Sequence, residues 1–165
     1  MSAKLQEVFQ KQQQQQNQSE IVADDEVLQL VGFMVGEEEY AIPILTIQEI
    51  IKPIEYTRVP RTPQFVLGVF NLRGSVIPLI DLRIKFGVPA TKTNEDTRYI
   101  VLKDGDDTAG FVIDKLNQAM RIEKKNIDPA PEATTQDKSL IEGVGKKEDR
   151  IITILKVSKL LERDF

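Results

Sequence analysis

A mainly β fold, built as two small antiparallel barrels in contact, is what this sequence predicts, and three observations predict it. From Val27 onward the chain breaks into short β-branched runs separated by Gly- and Asp-containing turns. The runs recur at a fixed offset. A shift of 69 places lays Gly36 on Gly105, Ala41 on Gly110, Ile42 on Phe111, Ile44 on Ile113, Ile47 on Leu116, Ile51 on Met120 and Pro60 on Pro129. A shift of 75 then lays Gly68-Val69 on Gly143-Val144, Ile77 on Ile152 and Leu79 on Ile154, with the six extra residues in the polar stretch Pro131–Lys138. Finally, each repeat is only about 65–70 residues long, too small to be stable without packing on its twin. Barrel closure is the natural solution, because it removes exposed strand edges.

Residues 1–25 stand apart. They contain the run Gln12 to Gln16 followed by Asn17 and Gln18, and too little apolar surface to offset the entropy of ordering. They read as a disordered Gln-rich tail; the alternative is a short docking helix carrying Leu5, Val8 and Phe9 at helical spacing. The folded domain is expected over 26–165, as two repeated barrel subdomains. Val27–Val35 and Tyr40–Ile44 form a hairpin around Gly36-Glu37-Glu38-Glu39, and Phe65–Leu72 and Ser75–Ile80 a second around Arg73-Gly74. Asp81 caps a short helix, Leu82–Phe86, that Gly87 ends. Val88–Thr97 is a linker. Arg98–Lys103 and Thr108–Ile113 make a third hairpin, and Arg150–Leu155 precedes a helix near Val157–Arg163. Each half thus reads as hairpin, short helical turn, proline-flanked loop, hairpin, short helix. Across the junction, Ile44 is expected to face Ile113, and Ile47 to face Leu116.

Composition removes most catalytic chemistries. The chain has no cysteine and no histidine, so thiolate nucleophiles, disulfides, thiolate metal sites and the commonest general base and metal ligand are absent. Acidic groups at Asp24-Asp25, Glu37-Glu38-Glu39 and Asp106-Asp107 fall in the tail or in turns, where carboxylates are expected to be solvated and not catalytic. The turn Asp104-Gly105-Asp106-Asp107 lacks the spaced ligands of a calcium loop. Gly143-Val144-Gly145-Lys146-Lys147 lacks the preceding glycine of a phosphate loop and reads as a hairpin turn. No cofactor or metal is expected. A formal charge of -4 argues against nucleic acid as a partner. With no apolar signal core and no run of membrane-spanning length, a cytoplasmic protein without direct membrane insertion is expected. A binding module remains.

The most distinctive stretch is Gly68-Val69-Phe70-Asn71-Leu72-Arg73-Gly74-Ser75-Val76-Ile77-Pro78-Leu79-Ile80-Asp81-Leu82-Arg83. It resembles the hallmark run of the CheW family, the coupling adaptors of bacterial chemotaxis, with Val76-Ile77 in place of the usual isoleucine pair. Glu39–Ile44, Gln48-Glu49-Ile50, Gly110 with Ile113-Asp114, Ile141–Val144 and Lys159-Leu160-Leu161 extend the resemblance over residues 28–163.

The resemblance implies a CheW-like fold of two intertwined, SH3-like, five-stranded β-barrels with short helices. It implies binding to the cytoplasmic tips of chemoreceptors and to the regulatory domain of the histidine kinase CheA. Other CheW-like domains in array rings, at membrane-associated receptor arrays, are further partners it implies. Carried over by position, Ile44, Ile47 and Leu116 would floor a receptor groove, with Glu49 nearby and Arg73 at its rim. The three apolar residues also fit an ordinary core, and Arg73 also fits an internal brace to Glu49. Gly68 suits close backbone approach or positive φ, and Asn71 and Gly74 suit the hairpin turn. Kinase binding in the family uses apolar patches at the outer barrel ends, where the sequence does not single out residues. Two alternatives stand beside this reading. One is the adaptor part of a CheV-like protein, disfavoured because the chain ends at Phe165 without a receiver domain. The other is a small β-barrel that binds nucleic acid.

Overall fold

The computed structural model describes residues 26–89, 92–131 and 138–162; the expectations for the Gln-rich tail fall outside them. Among the described residues there are eleven strands: β1 (Val27–Val35), β2 (Glu38–Pro43), β3 (Ile47–Ile51), β4 (Val66–Leu72), β5 (Ser75–Asp81), β6 (Arg98–Asp104), β7 (Asp107–Ile113), β8 (Lys115–Glu123), β9 (Ile127–Asp128), β10 (Ile141–Lys147) and β11 (Arg150–Leu155). Helix α1 (Leu82–Lys85) follows β5, and α2 (Val157–Leu160) follows β11. The strands form two SH3-like sheets, in the orders β8-β1-β2-β11-β10-β9 and β3-β6-β7-β5-β4.

Each sheet draws on both halves of the chain. The hairpin β1–β2 joins β8, β10 and β11, while β6–β7 joins β3, β4 and β5. The halves have therefore exchanged their first hairpins, which is the physical content of "intertwined". Each exchanged hairpin is held by two seams, one antiparallel, β1 with β8 and β6 with β3, and one parallel, β2 with β11 and β7 with β5, so the barrels are not purely antiparallel. The pairing repeats in register. Ala41 opposite Ile154 corresponds to Gly110 opposite Leu79, and Phe33 opposite Leu116 corresponds to Leu102 opposite Ile47. Even the bulges match, at Val66/Gly68 and Ile141/Gly143. The offset changes earlier than the sequence suggests. Thr57 bridges Val69 as Asp128 pairs with Val144, which moves the offset from 69 to 71 between β8 and β9, before Pro131.

Alternation along the strands sorts side chains into three cores. Leu30, Ala41, Met120, Ile122, Ile152 and Ile154 fill the first barrel, and Phe70, Ile77, Leu79, Tyr99, Val101 and Val112 the second. The opposite strand faces meet in a central core that includes Phe33, Tyr40 and Ile42 from one sheet and Ile80, Ile100, Phe111 and Ile113 from the other. Tyr40 stacks between Phe33 and Phe86 there, with ring centroids 6.2 and 5.0 Å away.

Three expectations need correction. Ile47–Ile51 and Lys115–Glu123 are edge strands, preceded in the first case by a three-residue 3-10 turn, Ile44–Thr46. Edge strands bury each face only partly, which weakens the period-two signal. Gly143 to Lys147 is strand, and the turn lies at Glu148-Asp149. Its glycines serve close packing, since a Cβ at Gly143 would stand 2.5 Å from Ile127 Cγ2. Ile113 is fully buried in the central core and does not face Ile44 across an open junction.

One charged network braces the junction. Asp81 caps α1 by accepting from Arg83 N at 2.9 Å, and its carboxylate also holds the Arg83 guanidinium through Nε and Nη2, both at 3.0 Å. Arg83 Nη1 donates to Asp114 Oδ1 at 3.0 Å, and Asp114 Oδ2 accepts from Gly36 N at 2.7 Å. The network thus links α1, the β7–β8 connection and the tip of the β1–β2 hairpin. Arg83 and Asp81 side chains are almost fully buried. Hydrogen bonding to Asp81 leads the effects that raise the Arg83 pKa.

Arg83→Met should strand two carboxylates and cost about 3–5 kcal/mol, read as a lower urea midpoint. A loss under about 1 kcal/mol would mean that the brace is not structural. Burial, then the Glu38 carboxylate that accepts the phenol hydrogen at 2.8 Å, raises the Tyr40 pKa above its ordinary value. The folded state then keeps a proton that the unfolded chain releases, so this contribution is intact below pH about 10 and is lost as pH rises further. The urea midpoint of Tyr40→Phe should accordingly fall less than that of wild type between pH about 9 and about 11.

Candidate functional site

The region singled out by sequence lies along edge strand β3 and the tip of the β4–β5 hairpin. Pro43 ends β2, and its carbonyl accepts from Thr46 Oγ1, tightening the turn that carries Ile44 and Leu45. Ile44 is 37% exposed and Leu45 96%. Ile47 opens β3 opposite Leu102, and Leu116 lies on the edge strand β8 opposite Phe33. Both are half-buried against the central core, so each is part core and part surface.

A bulge decides which way β3 presents its side chains. Ile47 opposes Leu102, but Glu49 opposes the next residue, Val101. Ile47 and Ile50 therefore both pack toward the central core, while Glu49 shares the face of Val101, on the second-barrel side. There Glu49 meets Arg73: Oε1 accepts from Nη2 at 2.9 Å and Oε2 from Nε at 3.2 Å. The apolar residues and the ion pair thus occupy the two faces of one edge strand.

Arg73 owes its position to the turn. Arg73 and Gly74 have φ of 53° and 88° between the paired residues Leu72 and Ser75, a two-residue turn of the primed kind. Asn71 Oδ1 accepts from Gly74 N at 3.0 Å and holds it shut. A left-handed arginine is a poor choice for the turn itself, and the Arg73 side chain stands 76% exposed. Its pKa is raised, first by the hydrogen bond to Glu49. The internal brace therefore exists, and most of the Arg73 side chain is still exposed. Gly68 sits where the β3–β4 loop crosses β4; a Cβ there would stand 2.1 Å from Thr57 O.

Sequence reasoning missed the exposed apolar residues Val76 and Ile151, 66% and 65% exposed on β5 and β11. They are 75 positions apart, one residue from the matched pair Ile77 and Ile152, so the repeat itself could have revealed them. Leu45 was missed as well; its counterpart at offset 69 is Asp114, which the other half uses to bind Arg83. Among the described residues no group of acidic side chains could hold a metal ion, and no helix is long and apolar enough to cross a membrane.

Two interleaved SH3-like barrels, with half-buried apolar residues on bulged edges and a signature hairpin beside them, define a double-barrel scaffold module. The chain belongs to the CheW-like domain family, whose profile matches residues 29–165. It is 53% identical to the chemotaxis protein CheW of Helicobacter pylori over 165 residues, 100% of both chains. It is 38% identical to that of Klebsiella aerogenes over 133 residues, 80% of each. The scaffolding protein TtCheW from Thermoanaerobacter tengcongensis matches with a TM-score of 0.77 at 34% identity, covering 83% of this chain and 89% of that one.

Gly68→Ala should destabilise the fold by about 1–3 kcal/mol, because loop or strand must move to admit the methyl; an unchanged urea midpoint would show that the crossing yields freely. Arg73→Ala should leave the thermal midpoint unchanged, since an exposed pair is screened.

Proposed function

We propose that this protein is a non-enzymatic adaptor that couples chemoreceptors to the histidine kinase CheA, so that receptor state controls kinase autophosphorylation. The observation that carries the reading is the edge of β3. Ile44, Ile47 and, on β8, Leu116 offer aliphatic anchors that the core covers only in part. A receptor helix needs a few such anchors with polar flanks. Arg73 adds an exposed side chain whose guanidinium suits a partner carboxylate or carbonyl. Membership of the CheW-like family supports the choice of partners.

The kinase regulatory domain, or another CheW-like domain in a ring, would use the barrel ends, where Val76 and Ile151 expose matched apolar surfaces. The molecule would then act at membrane-associated receptor arrays, held there by its partners.

Ile47→Glu should weaken co-sedimentation with a receptor-tip fragment at least tenfold while leaving binding to the CheA regulatory domain within about threefold. Loss of the circular dichroism signal would show instead that Ile47 acts as core. Arg73→Ala should reduce ternary complex formation with receptor and kinase; recovery equal to wild type would remove Arg73 from the contact. Deleting residues 1–25 should leave kinase binding unchanged, and a large loss of affinity would make the tail a docking element.

A further inference from the structure

The loop between β3 and β4 lines a surface pocket of about 310 Å³ that the adaptor reading does not use. Arg58 and Arg61 line it together with Tyr56, and Val66, Leu67 and Ile84 supply apolar wall. Arg73 is engaged by Glu49, Arg83 by Asp81 and Asp114, and Arg98 by the carbonyls of Glu95 and Thr97. Among the described residues Arg58 and Arg61 make no ion pair. Both arginines are exposed at the surface, so a partner's carboxylates can reach them.

The pocket is held open by a stiff loop. Pro60 and Pro63 restrict its backbone, Thr62 Oγ1 donates to Val59 O at 2.9 Å, and Val66 N donates to Pro63 O at 3.0 Å. Thr57 and Val69 exchange backbone hydrogen bonds of 2.8 Å at its base. Arg61 is left-handed, with φ 63°, a conformation that favours glycine. The other half of the chain shows that the fold does not demand a cation here. The residue after the matching bridge is Arg58 in one half and Pro129 in the other.

We propose that this pocket is a docking site for an acidic peptide segment of a partner protein, in which an apolar side chain is flanked by carboxylates. Guanidinium groups pair with carboxylates in a planar, bidentate geometry, and the wall of Val66, Leu67 and Ile84 takes the apolar group. A phosphate alone would use the arginines and ignore that wall. Nucleic acid would need a longer basic track than two residues.

The test titrates the ¹⁵N-labelled full chain with acetyl-Gly-Glu-Leu-Asp-Gly-amide, and separately with its Gln/Asn counterpart and with inorganic phosphate. Saturable shifts are expected at the amides of residues 56–67 and of Ile84. The uncharged peptide should bind at least tenfold more weakly. So should the acidic peptide on an R58E/R61E variant whose thermal midpoint matches wild type. Three results would overturn the proposal: no shift at these amides at millimolar peptide, equal binding of the uncharged peptide, or phosphate reproducing the shifts at equal affinity. If the double variant fails to fold, R58Q/R61Q should show the same loss, and undiminished binding there would also overturn it.

Discussion

In the first sheet β2 runs parallel to β11, and in the second β7 runs parallel to β5. With the antiparallel pairs β1–β8 and β3–β6, these seams join strands from opposite halves of the chain, and both barrels are built on them. Without them each half keeps a hairpin with no barrel to close. With them, neither barrel exists apart from the other, and the outer faces of both sheets are brought together as one central core. The Asp81–Arg83–Asp114 network then braces that junction at one of its two related places. Its counterpart positions in the other half carry Lys156, Ser158 and Leu45, which cannot form such a network. The duplication is therefore strict in backbone register and loose in chemistry.

That difference is what frees surface for partners. A position that must bind an internal arginine in one half, Asp114, is an exposed leucine in the other. The hairpin tips differ in the same way, with Arg73-Gly74 at one and Glu148-Asp149 at the other, although Arg73 and Glu148 share a left-handed backbone of 53° and 57°. The edge strands are bulged, which discourages pairing with a further strand. Their side chains are what remain available for recognition. Ile47 and Leu116 occupy matched places on β3 and β8 and serve both the core and the surface.

The hairpins were legible in the sequence because their turns carry Gly36, Gly74 and Gly105, and because the shifts of 69 and 75 matched their apolar residues. The exchange of hairpins was not legible from the residues, since pattern gives which strands exist and not which sheet each joins; the family resemblance supplied it. Edge strand β8 was missed even though Met120 and Ile122 alternate with Arg121 and Glu123. The glycines of β10 misled for a physical reason: the same residue type serves turns and close approach, and only the position of Ile127 tells them apart. At the site, the pairing of Arg73 with Glu49 was anticipated as one of two readings. The bulge that turns Glu49 away from Ile47 was not, because a one-residue slip leaves no mark in composition.

Partner recognition is proposed to lie on the edges of the interleaved barrels, along β3 and the start of β8. Hydrogen–deuterium exchange of the full chain, with and without a receptor-tip fragment, tests it most directly. New protection is expected at Ile44–Ile51 and around Leu116, with the β10–β11 hairpin unchanged. Protection confined to β10 and β11, with the β3 edge exchanging as in the free protein, would contradict it.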